Sequence, residues 1–406
     1  IAIVIEQFTL GAGGNERSTE QIARRLIERG HEVTILTNRS TPDVAVQLGA
    51  EVREADGPKT TSWWGLLVFQ RWAERQLDAF DASLSVTLAV PATIVQPRGG
   101  TYRETLRSNI MRRRSPIKRL LREASVLISP KQLALLWSEY RTLNHPRVKK
   151  IIAISYFVSD QLFEHYTIPS RRMELIPNAA SITLLSDQQE SAERSNIRRL
   201  LGFGETDVVF VFAAMNPGLK GLPQLLEALA QTGEAGRNAR LIVAGSSPIG
   251  DIEAAERLGI ADRIRWVGRT DQIDRLYQAA DVTVLPTFYD PASKVVIESL
   301  LHGKPAISTR YNGASQWIVD PSNGAINTSP LGHRPKGADE STPTQPAGRM
   351  IDRPDAIDQL TRAIVDLCDP DERARCAAAT QHLDPRLHMD VHVDALEKVI
   401  LHHAGR

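Results

Sequence analysis

The stretch from Pro286 to Pro305 reads Pro-Thr-Phe-Tyr-Asp-Pro-Ala-Ser-Lys-Val-Val-Ile-Glu-Ser-Leu-Leu-His-Gly-Lys-Pro and holds two carboxylates, Asp290 and Glu298, eight residues apart. The apolar run Val282–Leu285 ahead of it reads as a buried strand, and the residues around Glu298 have helical spacing. Asp290 then belongs to the crevice at the strand's C-terminal end, and Glu298 to the first turns of the next helix. Between them a helix start offers backbone N–H groups without intrahelical partners, which suit a phosphate. A sugar joined to a nucleoside diphosphate, with hydroxyls at both ends and phosphates between, would use all three parts. The structural alternative is that Asp290-Pro291 is a common N-cap and N1 pair and Glu298 a solvated helix residue.

Three further features could serve the same ligand. Pro217-Gly-Leu-Lys-Gly221 lies between a buried strand and an amphipathic helix, where glycines allow close backbone approach and Lys220 supplies a point charge. Its plain alternative is a surface lysine in a tight turn. Arg265-Trp-Val-Gly-Arg-Thr270 puts Gly268 and Arg269 at a strand exit, which is also what any strand exit looks like. Gly13 and Gly14, in the Gly-rich run Gly11-Ala-Gly-Gly14, open a helix whose start could meet phosphates.

These residues need a scaffold, and the periodicity supplies one. Ile1–Ile5, Val33–Thr37, Ser83–Leu88 and Lys150–Ser155 read as strands separated by helical patterns, the sign of parallel βαβ units. The alternation restarts with Val208–Ala213, Arg240–Ala244, Ile264–Val267, Val282–Leu285 and Pro305–Thr309. Leu222, Leu225, Leu226 and Leu229 mark the clearest helix between them. The expected organisation is α/β: two doubly wound parallel-sheet domains, 1–177 and 178–386, with a break at Leu175-Ile-Pro-Asn178 that would act as a hinge. A final helical segment, 387–406, is expected to return to the first domain. Gly332–Gly348, rich in Pro, Gly, Ser and Thr, reads as a mobile surface loop.

The chain's 406 residues exceed one ordinary core, which also argues for two domains. Charged residues make up 24% and the net charge is +1, so no global field draws nucleic acid. Cys368 and Cys376 are the only cysteines, so a disulfide framework is excluded and a reduced, cytoplasmic setting is expected. No run is long enough for a transmembrane helix, and the strand-like opening gives no signal peptide, although Ile1 is an unusual first residue. No cluster of metal ligands stands out.

Taken in order, these motifs resemble the retaining glycosyltransferases of family 4, which have the GT-B fold of two Rossmann-like domains facing a cleft. The resemblance is strongest from Asn178 to Gly324, through Leu175-Ile-Pro-Asn178, Lys220-Gly221, Gly268-Arg269 and Glu298-Ser-Leu-Leu-His-Gly-Lys-Pro305. Within the family it is closest in character to lipopolysaccharide core α-glucosyltransferases, on Gly13-Gly14 with Arg17, the Tyr102/Glu104 neighbourhood and the basic segment Arg103–Arg122. The resemblance implies roles. Asp290 would bind the donor sugar's hydroxyls, Glu298 the ribose, and the amides of Ser293, Lys294 and Val295 the diphosphate. Lys220 would neutralise the leaving group, Arg269 would lie beside the base, and Gly13 and Gly14 would close over the phosphates. A UDP-sugar is the implied donor, with GDP or ADP open, a glycan or glycolipid the acceptor, and no metal or other cofactor is required.

The departures are specific. Asp stands at 290 where Glu is usual, one methylene shorter. Leu219 replaces an arginine that commonly precedes the lysine, and Lys294 replaces an apolar residue and could return the charge. Arg98-Gly-Gly100 falls where relatives carry an acid, so no general base is assigned. Two other readings follow: a catalytically weak sugar-nucleotide or glycan-binding protein, and a sugar-nucleotide epimerase. Arg103–Arg122 carries eight Lys or Arg residues and one acid, Glu104. It reads either as a solvated helix, with Trp63 and Trp64 packed inside, or as a peripheral contact with anionic lipid at the inner face of the cytoplasmic membrane.

Overall fold

The computed structural model describes residues 1–9, 13–41, 44–113, 115–183, 185–321 and 345–404. It divides into two compact units, Ile1–Ala179 with His388–Arg406, and Ala180–Leu387.

The first unit holds β1 (Ala2–Phe8), β2 (Thr34–Ser40), β3 (Glu51–Glu54), β4 (Ser83–Ser85), β5 (Ile94–Val95), β6 (Lys150–Ala153) and β7 (Met173–Leu175) in a parallel sheet ordered β3-β2-β1-β4-β5-β6-β7. The unbroken apolar run at the chain's start is explained by burial on both faces. Ile3 and Ile5 pack with Ile22 and Leu26 of the helix Gly14–Glu28 and with Val393, Leu396 and Ile400 of the last helix, Met389–His403. On the other face, Val4 meets Leu36, Leu66 and Phe69. Arg29 ties the last helix down through Asp394 at 2.5 Å and Glu397 at 2.6 Å.

The second unit holds β8 (Val208–Ala214), β9 (Ala239–Gly245), β10 (Ile264–Gly268), β11 (Val282–Leu285), β12 (Ala306–Thr309) and β13 (Gly348–Ile351), ordered β10-β9-β8-β11-β12-β13 and again parallel. Phe210, Phe212, Val282 and Val284 face Leu222, Leu225, Leu226 and Leu229, the stripe visible in the sequence. Asp281 pins β11 to β8. Its carboxylate takes Arg194 and Arg198 at 2.5 Å each and the Val209 amide at 2.7 Å.

Both sheets reverse their strand order beside their first strand, between β1 and β4 and between β8 and β11. In open α/β sheets the crevice at that reversal, on the carboxyl edge, is where ligands bind.

Four strands, β3, β5, β7 and β13, were not legible. β3, β7 and β13 are sheet edges, where one side needs no apolar partner, and β5 has two residues. The basic segment forms helices, Tyr102–Met111 and Pro116–Leu127, followed by Pro130–Asn144. Of the expected loop Gly332–Gly348, residues through Thr344 lie outside the described residues, and Gly348 opens β13. Gly11, Ala12, Arg114 and Gly324 also lie outside them. Among the described residues no helix is long and apolar enough to cross a membrane.

Candidate functional site

Lys220 and Asp290 leave the second sheet from neighbouring strands, β8 and β11, at the reversal. After β8, Asn216 caps one helical turn, Pro217–Lys220, its Oδ1 accepting the Leu219 amide at 3.2 Å. Gly221 follows at φ 83°, and a Cβ there would lie 2.0 Å from the Pro286 carbonyl oxygen. Only glycine satisfies both the left-handed backbone and the close pass of the loop after β11. The two loops are joined where the Phe288 amide donates to Leu219 O at 2.9 Å. Lys220 Nζ then donates to Asp290 Oδ2 at 2.7 Å and to Tyr289 O at 3.0 Å. An ammonium has three N–H groups, so one is left for a ligand. The two side chains are 20% and 14% exposed, shielded yet reachable.

The structural alternative for Asp290 fails. The helix after it runs Lys294–Leu301, and its cap is Ser293. Asp290 instead turns the loop, its Oδ1 accepting the Ala292 amide at 3.2 Å, while its main chain bridges to Asn312. Asn312 is fully buried and escaped the sequence reading, although Asn-Gly is a turn signal. Its Oδ1 accepts the Ser293 amide at 3.1 Å and the Ala314 amide at 3.0 Å. The Ser293 amide, expected on a diphosphate, is thus committed to Asn312, and the first-turn position of Val295 is the better placed amide. Lys294 is the first helical residue and half-buried.

Glu298 is 3% exposed, which rules out the solvated reading. Its Oε2 accepts the hydroxyl of Tyr277, at 3.0 Å, from the helix Ile273–Ala279. Arg269 is exposed just beyond β10, after Gly268 at φ 73°. It shares the carboxyl edge of the sheet, but β9 separates its strand from β8, and no hydrogen bond or ion pair among the described residues joins it to Lys220 or Asp290. A cavity of about 580 Å³ lies apart from the pair, between the helices Asp187–Leu201 and Ile273–Ala279, and Asp274 and Gln278 are in its wall.

Gly13 and Gly14 belong to the other unit. Gly13 precedes the helix Gly14–Glu28 in extended conformation, and a Cβ on it would lie 2.9 Å from Glu16 Oε2. The Glu16 carboxyl therefore folds over the helix start, and burial raises its pKa. At Gly14 a Cβ would meet nothing within 4 Å. Arg98 is buried and donates to two neutral groups, Gln96 Oε1 at 2.9 Å and Asn178 Oδ1 at 2.5 Å. Burial pushes its pKa down to about 10. Sequence reasoning also missed Glu6, at the carboxyl end of β1, which accepts Thr87 Oγ1 at 2.9 Å beside the β1–β4 reversal. Burial raises its pKa, and that hydrogen bond opposes the rise. A lone acid closing an apolar strand run was the available signal. Nearby, Tyr102 donates to Gln132 Oε1 at 2.9 Å, and Glu104 lies 3.3 Å from His165 Nε2. Among the described residues no group of three His, Cys, Asp or Glu is placed to hold a metal ion.

Comparison with known proteins points to one family and one fold. A family model described as Glycosyltransferase Family 4 matches residues 12–183, and one described as Glycosyl transferases group 1 matches residues 206–331. The lipopolysaccharide glucosyltransferase WaaG of Escherichia coli is 23% identical over 333 residues, 79% of this chain and 83% of that protein. An uncharacterized glycosyltransferase of Methanocaldococcus jannaschii is 25% identical over 179 residues, 43% of this chain and 46% of that protein. A D-inositol 3-phosphate glycosyltransferase of Segniliparus rotundus is 25% identical over 185 residues, 44% of this chain and 40% of that protein. The chain thus spans under half the length of these last two relatives. Among solved structures, WaaG superposes with a TM-score of 0.76 at 18% identity, covering 98% of this chain and 99% of that one. Anabaena HepE in complex with UDP-glucose gives 0.69 at 17% identity, with 99% of each chain covered. The chain belongs to the GT-B glycosyltransferases, and it resembles the lipopolysaccharide core glucosyltransferases among them.

Proposed function

We propose that this chain moves a hexose, with retention, from a nucleoside-diphosphate sugar to a hydroxyl of a glycan or glycolipid in cell-envelope or polysaccharide biosynthesis. The observation that carries the reading is the Lys220–Asp290 pair, held at 2.7 Å at the strand reversal beside the helix that bears buried Glu298. In this reading the remaining Lys220 N–H meets charge growing on the departing diphosphate. The start of the helix Lys294–Leu301 adds its amides and partial positive charge. Glu298 holds the ribose, Arg269 flanks the base, and Asp290 meets sugar hydroxyls with the lone pairs that Lys220 and Ala292 leave over. A UDP donor is favoured because HepE, of the same fold, was solved with UDP-glucose. The acceptor oxygen bonds to the anomeric carbon on the face from which the phosphate oxygen leaves, and the acceptor's proton passes to that phosphate oxygen. No protein base is then needed, and activity is expected to survive EDTA.

Slow hydrolysis of UDP-glucose by the purified chain tests this. The activity should fall in Lys220→Ala and in Asp290→Ala; hydrolysis unchanged in both would remove the reading. Asp290 is already engaged twice, by Lys220 and by the Ala292 amide, which favours the second reading, a protein that binds sugar nucleotides without turning them over. UDP-glucose binding with no hydrolysis or transfer would establish that one.

We also propose that the acceptor is met at an anionic membrane surface. The helix Pro116–Leu127 exposes Ile117 at 71%, Leu120 at 67% and Leu121 at 64%, alongside Lys118, Arg119 and Arg122. Trp63 and Trp64 are about half exposed, at 45% and 52%, so they are not packed inside. Apolar side chains among cations match the interfacial region of an acidic bilayer. Failure to co-sediment with acidic vesicles at low salt would refute it.

A further inference from the structure

Glu298 does not stand alone in the second unit. Tyr277 is wholly buried, and its hydroxyl lies 3.0 Å from Glu298 Oε2 and 3.2 Å from the carbonyl oxygen of Val295. A phenol has one proton to donate, so the two acceptors share it. One side chain from a neighbouring helix thereby touches both the first turn of Lys294–Leu301 and the acid one turn later. The Tyr277 ring is itself held. His302 stacks on it with centroids 5.4 Å apart and planes at 30°. The imidazole lies 3.3 Å from Asp274 through Nε2 and 3.4 Å from Gln278 through Nδ1, two residues on Tyr277's own helix. His302, the residue just past the end of the helix that carries Glu298, is therefore clasped by the helix that carries Tyr277.

We propose that Tyr277 is the positioning residue for Glu298: its hydroxyl fixes the carboxylate rotamer that receives the two ribose hydroxyls of the nucleotide, and His302 holds the Tyr277 ring in place. This rests on the donor reading above, in which Glu298 binds ribose. The physical reason is entropic and electrostatic. A glutamate has three rotatable side-chain bonds, and a buried carboxylate that must accept two hydroxyls at once gains from being fixed beforehand. A hydrogen bond to an ionised group is also among the stronger ones a protein makes. Removing only the Tyr277 oxygen keeps the ring and its stack. It changes what the carboxylate can do while leaving the core filled.

The experiment is calorimetric binding of UDP, GDP and ADP, each beside its 2′-deoxy and 3′-deoxy counterpart, to wild type, Tyr277→Phe, His302→Phe and Glu298→Gln. Thermal unfolding of each variant reports the fold. For whichever nucleotide binds, wild type should prefer the ribonucleotide, and Tyr277→Phe should bind it about tenfold more weakly. The deoxy compounds should lose much less, so the preference for ribose collapses while the unfolding temperature stays near wild type. His302→Phe, which keeps an aromatic stack without the two polar contacts, should fall between. In slow hydrolysis of the matching sugar nucleotide, Tyr277→Phe should raise KM and leave kcat within about twofold, because the contact is made equally in ground and transition states. Wild-type discrimination that persists in Tyr277→Phe overturns the proposal and leaves the donor reading standing. Wild type that ignores deoxygenation, binds none of the three nucleotides, or is matched by Glu298→Gln overturns both.

Discussion

The two units share a scaffold and differ at its edge. Each is a parallel sheet whose strand order reverses beside its first strand, the point at which open α/β sheets form a crevice. In the second unit that crevice is occupied by an opposite-charge pair, Lys220 and Asp290, on loops joined to each other by a backbone hydrogen bond. In the first, Glu6 faces Thr87, a neutral hydroxyl, and the nearby buried guanidinium of Arg98 is bonded to neutral oxygens alone. The fold fixes where a ligand can bind, and the loops after the strands decide which chemistry it meets. One edge is built around a cation paired with a carboxylate. The other places an acid in surroundings that favour its protonated form.

The contrast can be broken at its strongest point first. Lys220→Ala should reduce glycosyl transfer or donor hydrolysis by about 10²–10³-fold, the usual range for removing one electrostatic stabiliser of a leaving group. Circular dichroism melts should show little change, since the side chain is partly exposed. Loss of the fold instead would make Lys220 a structural residue.

The glycines of the two edges come next. Gly221→Ala forces a Cβ to within 2.0 Å of Pro286 O at φ 83° and should destabilise the second unit by about 3 kcal/mol in denaturant titrations. Gly14→Ala meets nothing within 4 Å and should leave stability unchanged or slightly improved. A fall in activity for Gly14→Ala at unchanged stability would show that a ligand needs the space above that helix start.

At the first unit's surface, replacing Ile117, Leu120 and Leu121 together by Ser should cut binding to acidic vesicles several-fold without changing UDP binding. Equal binding by this variant would leave the basic residues as an ordinary solvated face.

The smallest effect tests the acid. Burial raises the folded-state pKa of Glu6 above its ordinary 4.5. The protonated form is therefore the one the fold favours. The associated stability is present below that ordinary value and is lost as pH rises through the raised folded value. Glu6→Gln keeps an acceptor for Thr87 and carries no charge. Its unfolding temperature relative to wild type should thus climb between pH 4 and pH 8, by about 2–4 °C for each 1 kcal/mol relieved. A flat difference across that range would mean that Glu6 ionises without penalty.

How much was legible follows from what each residue leaves in the sequence. The second sheet's central strands were visible because burial on both faces demands apolar runs, and the stripe of Leu222, Leu225, Leu226 and Leu229 was visible for the same reason. Edge strands β3, β7 and β13 carry polar residues because one side has no partner to demand otherwise. Lys220, Asp290 and Glu298 stood out because they follow apolar strand runs in the order and spacing that the family resemblance expects. The residues that hold them did not. Asn312, Tyr277 and His302 act through contacts with segments 19 to 28 residues away, and no local pattern marks such partners. The helix start was expected between Asp290 and Glu298, and its cap is Ser293, so Asp290-Pro291 only imitates a cap three residues earlier.

The most direct test is a crystal structure of the chain soaked with UDP-glucose. The account predicts the diphosphate at the start of the helix Lys294–Leu301 within hydrogen-bonding reach of Lys220 Nζ, the ribose on Glu298 and the sugar toward Asp290. UDP-glucose bound elsewhere, with these three side chains unchanged and untouched, would contradict it.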